Sequence, residues 1–310
     1  MSHPYQAILL IAFGGPTSAQ EIRPFLARVT KGLAIPPARL EEVAYHYEAV
    51  GGKSPLNEIT LRQAAALRDF LARRGLALPV YVGLRNSKPF FAETLEQMHK
   101  EGVHRALGFI LSSHRTEASW ERYQKNIADA QTDIGQGAPQ IDYCPQWYDH
   151  PLFTQTWVES IDGELAKLAP DDRQAIPLVF TAHSLPMPMA ARSPYVEQLK
   201  TSAHLIAEKL AYPNWSIAYQ SRSGKPTDPW LEPDVGDAIR THAARGIKQL
   251  MIAPIGFVCD HVEVLYDLDI EAKKLAQEQG VRLLRASCPN DHPTFIRMIA
   301  DIVTVRIAQS

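Results

Sequence analysis

The chain has 310 residues, 45% of them hydrophobic and 21% charged, with a formal net charge of −2. That length suits one large or two medium α/β domains and the composition is that of an ordinary globular protein, while the near-neutral charge offers nucleic acid no basic face. Three scattered cysteines, Cys144, Cys259 and Cys288, with no C-x-x-C spacing, argue against a disulfide framework or a structural zinc site and for a reducing cytoplasm.

The N-terminal stretch lacks the basic region and cleavage site of a signal peptide, and its apolar run Ile8–Phe13 is too short to span a bilayer. It reads as a first buried strand. Further strands are predicted at Pro79–Gly83, Ala106–Leu111 and Ile141–Tyr143, and then at Pro177–Thr181, Ser216–Tyr219, Leu250–Pro254 and Arg282–Arg285. Helical patterns alternate with them. Leu61–Arg74 stops at Gly75, a helix of about 152–168 follows the fourth strand, and Pro194–Leu210 has Ser193 as its expected N-cap with Pro194 in the first turn. Continuous apolar strands alternating with helices imply parallel sheets covered on both faces.

The two halves echo each other. Arg85-Asn86-Ser87-Lys88-Pro89 is matched by Arg222-Ser223-Gly224-Lys225-Pro226, and Ser112-Ser113-His114 by Cys259-Asp260-His261. Cys144-Pro145 with Asp149-His150-Pro151-Leu152-Phe153 is matched by Cys288-Pro289 with Asp291-His292-Pro293-Thr294-Phe295. Three echoes in one order predict two similar α/β domains, 1–150 and 151–310, with the last helix free to return to the first. Open parallel sheets bind ligands outside the carboxyl ends of their strands, so chemistry is sought there and in a cleft between the domains.

His183, in Thr181-Ala182-His183-Ser184-Leu185-Pro186, sits at such a strand end. A loop histidine satisfied by hydrogen bonds is the plainer reading; the prolines at 186 and 188, which stiffen the loop, favour a functional one. After the third strand of the second half, Glu263, Asp267 and Glu271 recur every four residues, with Asp260 as expected helix cap. The row could be a solvated acidic face, yet Lys273 and Lys274 fall off it rather than neutralising it. Carboxylates leading to an imidazole suit a path for a divalent cation. Phe13-Gly14-Gly15-Pro16 is not a dinucleotide-binding fingerprint and reads as a tight turn, and Gly51-Gly52-Lys53-Ser54-Pro55 as a loop.

Ala182–Pro186 and Gly256–Asp267 resemble the two signature segments of ferrochelatases, as do Gln220-Ser221-Arg222, Pro229-Trp230-Leu231 and Gly51–Leu56. The similarity runs in order over essentially the whole chain. It implies two Rossmann-like, doubly wound domains around a porphyrin cleft, and a lyase-type metal chelatase of haem biosynthesis that inserts Fe(II). It assigns His183 and Glu263 to the active-site pair as catalytic and metal-contacting residues, and Asp267 and Glu271 to an outer metal path on a helix that has a π-type turn in relatives. Ser54 and Tyr123 match porphyrin contacts, as do His46 and Tyr47. Phe13 stands where some relatives carry a metal-approaching tyrosine and cannot itself ligate. Thr30 and Lys31 stand where many relatives carry arginine.

The resemblance implies no [2Fe–2S] cluster and no tightly bound cofactor, iron being a substrate. The expected partners are the porphyrin and Fe(II), with a downstream decarboxylase or upstream oxidase, for a cytoplasmic monomer. Coproporphyrin III is the favoured ring; protoporphyrin IX, a chelatase for another tetrapyrrole, and a non-catalytic haem carrier are the alternatives.

Overall fold

The computed structural model describes residues 4–173, 176–223 and 227–309. All eight expected strands form: β1 (Ala7–Ala12), β2 (Val80–Leu84), β3 (Arg105–Ile110), β4 (Gln140–Tyr143), β5 (Leu178–His183), β6 (Trp215–Gln220), β7 (Gln249–Ala253) and β8 (Arg282–Arg285). They make two four-stranded parallel sheets of identical topology, β2-β1-β3-β4 and β6-β5-β7-β8. β1 is buried at every residue and β5 at all but His183, as the uninterrupted apolar runs require of strands covered on both faces. Each fully buried Leu, Ile or Phe in them contributes roughly 1.5–3 kcal/mol.

The first compact unit comprises Met1–Ser112, Ala118–Gln146 and Asp291–Ser310; the second comprises Ser113–Glu117 and Trp147–Asn290. The helix Pro293–Ala308 packs on Leu56–Arg73 in the first, and the equivalent helix Pro151–Leu165 packs on Tyr195–Lys209 in the second. Both terminal helices start alike. Proline fills the first turn, and the preceding His150 or His292 accepts a backbone N–H at Nδ1, from Leu152 at 3.1 Å and from Thr294 at 3.3 Å. The Asp-His-Pro echo is therefore a repeated N-cap. Segment Ser113–Glu117 is tied into the second unit by His114 Nε2 to Ser202 Oγ at 2.9 Å and by Arg115 N–H donating to Gln198 Oε1 at 2.8 Å. Burial holds His114 down at about 3, so this ring is neutral.

Three local expectations are corrected. The first long helix begins at Leu56, before the expected Leu61, because its first turn turns Asn57 and Thr60 inward along with Leu56 and Ile59, which hides the apolar period. Pro194 is itself the N-cap of Tyr195–Lys209, and Ser193 Oγ donates back to Ala190 O at 3.3 Å, closing the short helix Met187–Ala190. The Arg85–Pro89 echo is out of register. Gly224–Pro226 lie outside the described residues, and the counterpart of Pro89 is Pro233: Leu84 N–H donates to Pro89 O and Tyr219 N–H to Pro233 O, each at 2.8 Å. The bridges Leu84–Phe90 and Tyr219–Asp234 then lead into matching helices, Phe91–Lys100 and Val235–Ala244. The second unit thus has the longer loop here, and that loop builds the site.

Candidate active site

β5 ends at His183, and the chain beyond it is held from three directions. Leu231 N–H donates to Leu185 O and Met187 N–H to Pro229 O, both at 2.9 Å, and Ser184 Oγ donates to Leu231 O at 2.9 Å. Pro229-Trp230-Leu231 is therefore a short strand-like brace for the histidine loop, with Pro186 bridged to Trp230. The Tyr195 hydroxyl donates to the His183 carbonyl at 3.0 Å. The imidazole Nδ1 meets the Ser184 carbonyl. A carbonyl only accepts, so Nδ1 carries a proton, and Nε2 is the nitrogen whose lone pair can serve a proton or an ion.

That Nε2 lies 3.7 Å from Glu263 Oε1, and His261 Nε2 lies 3.7 Å from Glu263 Oε2. Both gaps exceed a hydrogen bond. Two metal bonds of about 2.0–2.2 Å, typical of a zinc-sized ion on imidazole and carboxylate, separate their donor atoms by roughly 3–4 Å, so the first gap can be spanned by one divalent ion. The side chains of His183 and Glu263 are 33% and 40% exposed, open enough for an ion and a ring to reach them. Burial lowers the His261 pKa, the Glu263 carboxylate opposing it less strongly. Among the described residues, no three His, Cys, Asp and Glu side chains converge as a complete metal site.

Backbone contacts position Glu263. Gln220 Nε2 donates to its backbone carbonyl at 2.6 Å, and Thr181 Oγ1 donates to Gln220 Oε1 at 2.9 Å, a chain from β5 through β6 to the main chain of Glu263. The Gly256 N–H donates to Thr181 O at 3.0 Å, and a Cβ at Gly256 would lie 2.5 Å from Ala182 Cβ and 2.7 Å from its Cα. Only glycine allows the Glu263 segment to approach the His183 strand this closely. Gly256→Ala is expected to cost about 2–3 kcal/mol of stability by overpacking and to lower activity by parting the pair; unchanged thermal unfolding and turnover would refute the close approach.

The expected helix cap and the plain α-helical row are also corrected. His261, not Asp260, occupies the N-cap of the single turn Val262–Leu265. Asp260 instead pairs with Arg285 and Asn290, because a carboxylate gains more from a guanidinium of opposite charge than from the backbone N–H groups of a single helical turn. A π-helical segment, Asp267–Ala272, follows, and the Tyr266 carbonyl accepts from both Ile270 N–H at 3.2 Å and Glu271 N–H at 3.0 Å. The first half of the chain carries a π segment at the matching place, Glu117–Glu121. In an α-helix two steps of four residues drift by about 80°; the wider π turn winds less per residue and draws Glu271 back toward the line of Glu263 and Asp267. The row passes from half-buried Glu263 through buried Asp267 to exposed Glu271. Asp267 accepts from Ser221 Oγ, and burial, helped by the charges of Glu263 and Glu271, pushes its pKa up to about 8 against that hydrogen bond. Asp267 therefore holds a proton at neutral pH.

The porphyrin contacts expected in the first unit sit as follows. Phe13 follows β1, half-buried and edge-on to Phe25, which in turn meets Tyr47 edge-on at 5.8 Å. His46 is half-buried on the helix Pro37–Ala49, while Tyr47 is buried. Ser54 is buried against Gly15, its N–H donating to Pro16 O at 2.8 Å and its Oγ accepting from Leu56 N–H at 3.3 Å. Tyr123 is buried with Phe91 in the core of this unit. The turn Phe13–Pro16 is clamped by buried Asn57, which accepts from Gly15 N–H at 2.9 Å and donates to Gly15 O at 3.0 Å. It is a packed turn rather than a phosphate cradle. The roles of His261, Tyr195, Gln220 and Ser221 escaped the sequence reading. His261, Gln220 and Ser221 stood inside the signature segments, but nothing local reveals what each one holds.

The ferrochelatase family model matches residues 5–307. A ferrochelatase of Rhodopirellula baltica is 40% identical, the match covering 99% of this chain and 87% of that one. A coproporphyrin III ferrochelatase of Mycolicibacterium vanbaalenii is 41% identical over 96% of this chain and 89% of its own. Among solved structures, SirB from Bacillus subtilis with Fe3+ matches with a TM-score of 0.62 at 12% identity, covering 98% of this chain and 96% of that one. This last likeness is one of fold alone.

Proposed function

The chain belongs to the ferrochelatase family, and from that premise we propose that it inserts Fe(II) into coproporphyrin III, with His183 and Glu263 as the reacting pair. The observation that carries this reading is the imidazole Nε2 with its free lone pair, 3.7 Å from a carboxylate that has no carbonyl or amide tied to it by any described bond. Metalation exchanges two pyrrole protons for one Fe(II). His183 Nε2 has one lone pair, so it first holds the arriving ion and, once the ion has passed to the ring, takes up one pyrrole proton; Glu263 coordinates the ion from the other side and then takes the second proton, passing it on to solvent. The row Glu263, Asp267 and Glu271 feeds the ion inward. Asp267, protonated beforehand, gives up its proton as positive charge arrives, which keeps the empty row from holding an uncompensated charge at its buried member.

Phe13, His46, Tyr47, Ser54 and Tyr123 are proposed as porphyrin contacts. The protein works without a resident cofactor or cluster, and its buried cysteines fit that view: burial drives the thiol pKa up, to about 12 for Cys144. Among the described residues no helix is long and apolar enough to cross a membrane; we place the enzyme in the cytoplasm as a monomer. Its product would keep four propionates and need a separate decarboxylase.

The substrate assignment is supported by the coproporphyrin III ferrochelatases of two Mycolicibacterium species at 40–41% identity. Anaerobic turnover of coproporphyrin III and protoporphyrin IX, followed by absorbance, tests it. A kcat/KM preference for coproporphyrin III of about tenfold or more is expected, the worth of one or two contacts to the extra carboxylates. A reversed preference would assign protoporphyrin IX, and tight haem binding without metalation would make the protein a carrier.

A further inference from the structure

We infer that Arg285, which touches neither iron nor ring, is the positioning residue that holds the carboxylate row in its π-helical register. The inference rests on the metal-insertion reading above and deepens its iron side. Arg285 ends β8 with its side chain only 17% exposed. It grips two carboxylates at once. Nε donates to Asp269 Oδ1 at 2.7 Å and Nη2 to Asp269 Oδ2 at 2.9 Å, a two-pronged pair, while Nη1 donates to Asp260 Oδ1 at 2.8 Å. These partners flank the working segment. Asp260 directly precedes His261 and stands three residues before Glu263; Asp269 lies inside the π segment, between Asp267 and Glu271.

The Asp260 end is fixed further. Its Oδ2 accepts from Asn290 Nδ2 at 2.7 Å, its N–H donates to Asn290 Oδ1 at 2.9 Å, and Cys288 N–H donates to its Oδ1 at 3.4 Å. One guanidinium thus anchors both ends of the stretch 260–269 to the end of a sheet strand. Two consequences follow physically. A π turn sacrifices regular i→i−4 bonding, so a tertiary tie must hold it, and a bidentate Arg–carboxylate pair gives that tie a fixed direction. Arg285 also sets one positive charge between two carboxylates beside the row and occupies their oxygens, so Glu263, Asp267 and Glu271 are the groups left to meet an incoming cation.

The test uses the full chain with Arg285→Met, Arg285→Lys and Asp269→Asn, the last a partly exposed, isosteric change that leaves no cavity. Partners that orient metal ligands typically carry 10–100-fold in metal affinity or activity, so kcat/KM for Fe(II) should fall by about that factor in R285M. D269N should move the same way and less far, and porphyrin affinity, read by fluorescence quenching, should stay within about twofold in both. Lysine keeps the charge but not the fork, so R285K should resemble R285M more than wild type. Amide exchange should quicken across Tyr266–Ala272 in R285M and stay slow in β5 and β7.

Unchanged Fe(II) kinetics in R285M or, should that variant fail to fold, in D269N would overturn the inference. So would full recovery in R285K, or porphyrin affinity falling in parallel with the iron kinetics. In each of those cases wild-type turnover would still stand and the metal-insertion reading with it; a wild-type chain that inserts no Fe(II) would overturn both.

Discussion

His183→Ala is expected to slow Fe(II) insertion by roughly 10²–10⁴-fold, the usual cost of removing a general base, while the protein stays folded. The side chain is one-third exposed at the end of β5, so its removal leaves no core cavity. The main chain at this point is held by Tyr195 through the His183 carbonyl and by the Leu185 and Ser184 contacts to Leu231, none of which needs the imidazole. Anaerobic absorbance changes should therefore be lost, with thermal unfolding and porphyrin binding close to wild type. Near-normal turnover would remove His183 from the reaction.

Glu263→Gln is expected to cost roughly 10²–10³-fold, comparable to losing one preorganised electrostatic contact. Glutamine keeps the volume, and the Gln220 bond to residue 263 runs to the backbone carbonyl, so the variant changes charge without moving the segment. The carboxylate faces two imidazoles, each at 3.7 Å, and neither His183 nor His261 can substitute for its negative charge. Because His183 and Glu263 are proposed to act on one ion and the same protons, the double variant should be little worse than His183→Ala alone. Fully multiplied losses would mean two independent tasks, and an active Glu263→Gln would restrict the carboxylate to structure.

Much of the molecule could be read before any coordinates. The buried strands announced themselves because a strand covered on both faces is nearly continuously apolar, as in Ile8–Ala12 and, apart from Thr181, Leu178–Ala182. The repeated Asp-His-Pro motif, the sheet-end placement of His183 and the spacing of Glu263, Asp267 and Glu271 are likewise properties of short stretches. The errors fell where local rules compete with distant partners. Asp260 looked like a helix cap until Arg285 and Asn290 claimed it, and Arg85–Pro89 looked like the twin of Arg222–Pro226 until the bonds of Leu84 to Pro89 and of Tyr219 to Pro233 made Pro233 the counterpart of Pro89.

By itself, then, the sequence determined the alternation of strand and helix, the duplication, and which two residue types stand at the strand ends, since each depends on periodicity or spacing within about one element. Only the tertiary structure decided what those residues face: the meeting of His183 with Glu263, the brace of Pro229–Leu231, the raised pKa of Asp267 and the grip of Arg285 on Asp269. These depend on separations of a few ångströms between groups far apart in the chain. Electrostatic and hydrogen-bond energies change steeply over such distances, whereas a linear pattern carries no measure of them.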